Sequence, residues 1–498
     1  MLNSNKPLSG KVLAAIGGEA LAVTTRNISG LKILTREDLE RIHEASVRVL
    51  EETGMVFQSR RALDLFARHG AKVSDNTVYL NKKLIEEALG QCPANIKWRA
   101  RNSKHSVEIG QGLHVQAGGG SVYIEDLVQG RRPGKLEDFA NIQKLYQSSQ
   151  VIDIAGFTPV DTADVKPEHK HLLMQYEILK HTDKPVHGHV CGGRQADQML
   201  DMIEIVFGEE DLLKKHHVMG LSINTISPLL FGEEQLETLF AYVNRSQIII
   251  AAPMAIGGVS APLSHVGMTV LVNAEILAMI TLIQLINPGN PVIIGPSSSF
   301  ADLRTGAYSA GIPDGMLHLI TQIQLSKEFY NIPTRVLSGA CDSKVTDAQA
   351  GFETMQNLML SILGGADLIA HACGVLDGLM TISYEKILID EELIRRAIYL
   401  KERPVSVTDE ALSIDIIKEV GPGGSYLMHE SVFNNCRDLF QFDVSDTGNY
   451  AEWKRAGSRD IVQRANELYL ERLAAAPESL LAPEHEQALT AYLEKAKI

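Results

Sequence analysis

The sequence predicts an α/β chain built as a (β/α)8 TIM barrel over residues 111–402. An N-terminal arm and helical cap region over 1–110 precedes it, and a C-terminal helical extension over 403–498 is expected to pack on it. Three observations carry this reading. Eight short apolar runs recur between residues 113 and 373. An amphipathic stretch long enough for a helix follows each run. The loops joining run to helix are rich in Gly, Ser, Pro and chemically active side chains, where a parallel barrel keeps its working groups. An open doubly wound sheet is the alternative. It loses support because no G-x-G-x-x-G follows a strand and no G-x-x-x-x-G-K-[ST] occurs.

Residues 1–30 lack periodicity and read as an arm. Leu34-Thr-Arg-Glu-Asp38 then supplies an N-cap and an acidic first turn. Leu39, Ile42, Val49 and Leu50 form a helical stripe that Gly54 ends. Further helices are expected around Arg61–His69 and Lys82–Cys92. The eight strand candidates are Leu113–Ala117, Ile152–Phe157, Pro185–Val190, Val218–Ile223, Ile248–Ala252, Val292–Gly295, Thr334–Ser338 and Leu368–Cys373. The helices between and after them are Leu136–Ser148, Glu168–His181, Ala196–Phe207, Glu233–Asn244, His265–Leu285, Pro313–Tyr330, Asp347–Leu363 and Glu385–Leu400. Beyond Glu402 the chain turns helical and charged again.

With 498 residues, 45% of them hydrophobic, the chain can bury a large core. Its net charge of −14 disfavours nucleic acid and anionic membrane surfaces as partners. Five cysteines (Cys92, Cys191, Cys341, Cys373, Cys436) form no CxxC pair and point to a reducing compartment. The most apolar span, Val270–Ile286, carries Asn273 and Glu275 and reads as a buried helix. With no signal pattern at the start, a soluble cytoplasmic enzyme is expected.

The loops after the strands hold the candidate chemistry. Gly118, Gly119 and Gly120 allow either a tight turn or close backbone approach to an anion. His187 and His189 would share one side of a strand and could ligate zinc, with Cys191, Cys341 or His371 as a third ligand. That would make a zinc-dependent barrel hydrolase. Against it stand the lack of a compact ligand set and the ordinary role of strand histidines as core hydrogen bonders. Cys341 and Cys373 read foremost as small buried residues. Asp342 and Asp377 sit in Gly-rich turns after the last two strands, where a carboxylate either caps turn amides or lines the mouth. Phe157, Phe300, Tyr123, Tyr308 and Tyr384 are the aromatic residues nearest the strand ends, and aromatic faces around a mouth attract a quaternary ammonium.

Trp98-Arg-Ala-Arg-Asn102, Gly118-Gly-Gly120, Glu125-Asp-Leu-Val-Gln-Gly-Arg-Arg-Pro133 and Thr182-Asp-Lys-Pro-Val-His-Gly188 continue in order into Cys341-Asp-Ser-Lys344 and Asp347-Ala-Gln-Ala-Gly351. Asp377-Gly378, Ser383-Tyr-Glu-Lys386, Gly421-Pro-Gly-Gly-Ser-Tyr-Leu427 and Trp453 complete the set. This ordered set resembles the trimethylamine:corrinoid methyltransferase family, a group with links to methanogenesis, over roughly residues 35 to 470. The resemblance implies a barrel that passes a methyl group from an amine to the Co(I) of cobalamin carried by a small corrinoid-binding protein.

Trimethylamine members carry pyrrolysine, whereas every residue here is standard. Attack on a tertiary amine would expel an amide anion, but a quaternary amine leaves as a neutral tertiary amine. The resemblance therefore implies a donor of the glycine betaine, proline betaine or carnitine type. It also implies no pyrrolysine and no intrinsic metal, and catalysis by positioning, with no catalytic side chain assigned. Substrate contacts are expected from Phe157, His189, Phe300, Tyr308, Asp342, His371 and Asp377. Corrinoid contacts are expected from Gly118, Gly119, Gly120 and Ser298. His371 and His189 rank first for the donor's carboxylate, ahead of Arg304, Lys344 and His187. A homo-oligomer is also expected. A betaine-binding protein without catalysis is the remaining alternative.

Overall fold

A computed structural model describes residues 30–496. The arm expected over residues 1–30 lies outside them apart from Gly30. Two compact units are distinguished, one holding residues 30–401 and 440–496 and the other residues 402–439. In the latter, the short helices Asp409–Leu412, Ile414–Val420 and Glu430–Asn435 bury no residue.

In the larger unit, helix Arg36–Glu52 begins where the sequence places a cap. Thr35 and Asp38 close a reciprocal capping box. Its buried stripe runs through Leu39, Ile42, Val47 and Leu50. Strands Met55–Phe57, Lys72–Ser74 and Thr77–Tyr79 then form a small sheet with Leu230–Phe231.

All eight apolar runs contain strands. They are β1 (His114–Ala117), β2 (Ala155–Gly156), β3 (Val186–His187), β4 (Met219–Ile223), β5 (Ile248–Ala251), β6 (Val292–Ile294), β7 (Arg335–Leu337) and β8 (Leu368–Ala372). Strands β2 to β6 pair in parallel as one five-stranded sheet, and β7, β8 and β1 as another of three. Single parallel bridges, Gln116 to Ile154 and Ile294 to Thr334, join the two sheets at both junctions.

The intervening helices are α1 (Leu136–Ser148), α2 (Pro167–His181), α3 (Gly193–Phe207), α4 (Glu233–Asn244), α5 (His265–Ile286), α6 (Pro313–Gln324), α7 (Ala348–Gly364) and α8 (Tyr384–Glu402). The fold is thus mixed α/β with alternating strands and helices. Helix α6 runs on into a π-helical turn, Leu325–Tyr330, so the single helix expected there widens off its regular ladder at its end. Helix α5 is long and apolar enough to cross a membrane, yet most of it is buried within the protein. It is apolar on all sides because it is covered on all sides.

At the amino ends of the strands, the antiparallel pair Ile96–Trp98 and Val107–Ile109 closes the interior. Its backbone is tied to residues that precede β3 and β4: Asn102 N donates to Asp183 O and Arg99 N to His217 O. Trp98 is fully buried against Gly220, where an added Cβ would lie 2.3 Å from the indole. At the carboxyl ends two small sheets build up the rim. One joins Tyr123–Glu125 to Thr381–Ser383, and the other joins Ile256–Gly257, Ser299–Asp302 and Ala307–Tyr308.

Candidate functional site

Arg335 is the most unusual residue of the interior. It opens β7, and its inward side chain is 1% exposed. The guanidinium extends past the end of β6: Nη1 donates to the Gly295 carbonyl and to Ser297 Oγ, both at 3.2 Å. Nε donates to Gln116 Oε1 on β1 at 3.1 Å. Gly295 makes room for the stem, since a Cβ there would lie 2.9 Å from Arg335 Cδ. Burial lowers the guanidinium to about 10, which leaves it charged at neutral pH. All three acceptors are neutral, and no carboxylate forms an ion pair with it among the described residues.

Two histidines share this interior. His187 Nε2 accepts the Ser222 backbone N–H at 3.1 Å and lies 2.9 Å from Ser222 Oγ. A backbone amide only donates, so the ring proton resides on Nδ1, which is buried without a partner. His371 sits at φ +50°, with Nδ1 2.8 Å from the Gly119 carbonyl. A carbonyl only accepts, so here too Nδ1 carries the proton and Nε2 is bare. Burial, reinforced by the Arg335 charge, holds His187 well below its usual range and His371 down to about 3. Both rings are neutral at physiological pH.

Phe157 lies between them, edge to face, with ring centroids 4.5 Å from His187 and 5.4 Å from His371. Its backbone holds φ +57°, a conformation uncommon for a side chain of this size. Gly119 is the reason the ring fits, since a Cβ there would lie 1.8 Å from Phe157 Cδ1. Tyr308 completes the wall. Its hydroxyl donates to the Ser297 carbonyl at 2.9 Å, and burial and the Asp342 charge raise its phenol, keeping it protonated.

Phe157, His371 and Tyr308 are therefore gathered around Arg335, which the sequence reading did not single out. The other expected contacts are spread differently. His189 is half-buried, its two ring nitrogens are shielded and unpartnered, and desolvation, with a smaller push from nearby His171, brings it down to about 4. Strand β3 stops at His187, so the alternation expected to pair the two histidines is not continued. Among the described residues no group of three or more His, Cys, Asp or Glu is placed to hold a metal ion, so the zinc-hydrolase reading has no ligand set there.

Phe300 packs over Gly257 and 4.9 Å from the His265 ring. Asp342 accepts from Ser309 Oγ and the amides of Ala310 and Gly311, the turn-capping role. Asp377 pairs with Arg131 and Lys344 at the half-exposed rim. Ser298 is fully buried between the Pro253 carbonyl and the Ala255 amide. Gly118 is walled in by the Cys373 carbonyl, whereas Gly120 is exposed. Tyr123 stacks under Arg131, and Tyr384 bonds Asp138 while stacking on Tyr469. Arg304 pairs with its neighbour Asp302. Burial pushes the Cys341 thiol up to about 11 and raises the Cys373 thiol well above its usual range, so neither is a ready nucleophile.

A buried fixed cation, two neutral imidazoles and an aromatic wall with no carboxylate in contact favour binding and positioning over acid–base work. Comparison with known proteins supplies the family. The trimethylamine methyltransferase (MTTB) model matches residues 10–498. The glycine betaine methyltransferase of Desulfitobacterium hafniense (strain Y51) is 34% identical over 463 residues, spanning 93% of this chain and 96% of that protein. The proline betaine:corrinoid methyltransferase of Eubacterium limosum is 31% identical over 409 residues, spanning 80% and 83%. The crystal structure of the Methanosarcina barkeri monomethylamine methyltransferase (MtmB) superposes with a TM-score of 0.51 at 12% identity, over 93% of this chain and 88% of that one, a likeness of fold. On the family match and these identities together, the chain belongs to the trimethylamine methyltransferase (MTTB) family.

Proposed function

We infer that the chain is a corrinoid-dependent methyltransferase that moves a methyl group from a quaternary amine to a corrinoid protein. Its glycine betaine and proline betaine relatives support that reaction. The observation that carries it at the site is Phe157 held edge-on between two neutral imidazoles, with no carboxylate touching the group. When a methyl leaves a quaternary nitrogen, the C–N electron pair stays on nitrogen and its positive charge disappears. An acidic clamp would stabilise the charged ground state more than the transition state. Apolar and weakly polar walls avoid that penalty and leave catalysis to placement of the methyl carbon. The corrinoid supplies the nucleophile and takes up the methyl group. No proton has to move.

The ring reading of the strands is part of the proposal, and the bridges at both sheet junctions support it. The donor then enters at the carboxyl-end rim, because Trp98 and its hairpin fill the opposite end. Docking of the small corrinoid protein at the same rim is supported by exposed apolar residues in the loops and first turns that follow the strands: Val259, Leu303, Val345, Phe352 and Met380. The direct test mixes the protein with Co(I) corrinoid, free or protein-bound, and a panel of quaternary amines. Conversion of the Co(I) spectrum to that of methyl-Co(III) with at least one donor is expected. No conversion with any donor, even with a cognate corrinoid protein present, overturns the assignment and leaves a binding protein.

A further inference from the structure

We propose that Arg335 is the carboxylate-binding residue of this site and makes the protein selective for quaternary amines that also bear a carboxylate. The proposal rests on the methyl-donor reading above and narrows it. A guanidinium at 1% exposure loses most of its hydration, and structures normally compensate such a charge with a carboxylate. Here the protein offers only a carbonyl, a hydroxyl and an amide oxygen.

The neighbouring groups deepen the imbalance. Gln116 spends its oxygen on Arg335 Nε, and its Nε2 is buried with no acceptor. His187 presents a buried Nδ1–H that is likewise unpaired. The interior therefore holds a surplus of donors and a net positive charge, which an anionic acceptor would balance. The two buried lysines among the described residues show the contrast. Lys386 pairs with Asp390 at 2.6 Å, and Lys184 is enclosed by the carbonyls of Tyr146, Ser149 and Ile152.

His371 and His189, ranked first for this task by sequence, are less suited. Both are neutral, and His371 already gives its only proton to Gly119. A carboxylate on Arg335 would set the ammonium end toward Phe157 and the rim. A cationic amine without a carboxylate would instead meet the uncompensated Arg335 charge and be repelled.

The test measures binding to the full chain by calorimetry with three ligands of similar size. Glycine betaine carries both charges, 3,3-dimethylbutyrate keeps the carboxylate but replaces the ammonium by a neutral tert-butyl group, and choline keeps only the cation. Wild type is expected to bind the two carboxylates within about tenfold of each other and choline roughly 100-fold more weakly. Arg335→Gln should lose roughly 100-fold for both carboxylates while choline holds or gains, and Arg335→Lys should recover part of the loss. Choline binding as tightly as betaine in wild type, failure of both carboxylates to bind, or unchanged betaine affinity in a folded Arg335→Gln would each overturn the proposal. If Arg335→Gln does not fold, the wild-type panel decides alone. Arg335-dependent binding of 3,3-dimethylbutyrate without methyl transfer from betaine to Co(I) would remove the transferase reading and leave the anion site standing.

Discussion

At the amino ends of the strands the buried cation Lys184 is fully answered. Its ammonium takes three carbonyls at 2.6–2.8 Å, one of them at the carboxyl end of α1 where a cation is favoured, and Trp98 Nε1 reaches the Val218 carbonyl. Toward the carboxyl ends, Gln116 Nε2 and His187 Nδ1 are buried donors without a partner, the Arg335 guanidinium has only neutral acceptors, and Phe157 and His371 hold positive φ. The same strands therefore hold one buried cation that the backbone satisfies and another that lacks a counter-charge inside a strained cluster. A buried cation without a carboxylate, beside two unpartnered donors, costs stability, and an anionic ligand there would complete the structure.

Three measurements sharpen or break that contrast. Lys184→Met should have the largest effect, a loss of about 2–4 kcal/mol by denaturant unfolding, because three buried carbonyls lose their cation. Betaine binding should not change, and a weakened affinity in the folded variant would mean that the two ends are not separable. Gly119→Ala should act the other way. The new methyl group displaces the Phe157 ring, so kcat/KM should fall about 10- to 100-fold while stability falls by about 1–3 kcal/mol. A silent Gly119→Ala would take Phe157 out of the site.

The smallest effect concerns pH. His371 and His189 titrate in the folded protein at about 3 and about 4, below the ordinary value of 6.5. Between 6.5 and those values the unfolded chain binds more protons. Their contribution is full above pH 6.5 and is lost as pH falls toward 3. Denaturant midpoints should therefore drop between pH 7 and pH 5, by less in His371→Gln. Over pH 6 to 9, kcat/KM for the donor should stay flat, because the imidazoles are already neutral and Arg335, at about 10, is still charged. A limb near pH 6.5 would show that one of these rings takes part as an ionising group.

The strands and helices were readable because their signals are local. Parallel strands buried on both faces are continuous apolar runs, and the helices α1 and α4 begin and end at the residues their periodicity marks. Several family-like motifs also found plain structural work. Asp347 caps α7 through the Ala350 amide, Arg132 grips Asp138, and Trp98 closes the amino end. Within the site, Phe157, Tyr308 and His371 were legible as residues at strand ends. Arg335 was not. In sequence it is one charge inside an apolar run of five residues, and nothing local says which way it points.

What the sequence by itself determined is the alternation of strand and helix, the family, and the absence of an obvious acid–base pair, since each depends on residue order or residue type. The tertiary structure alone decided which side chains share an interior. Residues 116, 157, 187, 335 and 371 belong to different strands or the loops after them, and only the register of parallel neighbours brings them together. Charge acts through space, so an arginine's meaning depends on the carboxylates around it, and those are absent from its surroundings only once the chain has folded.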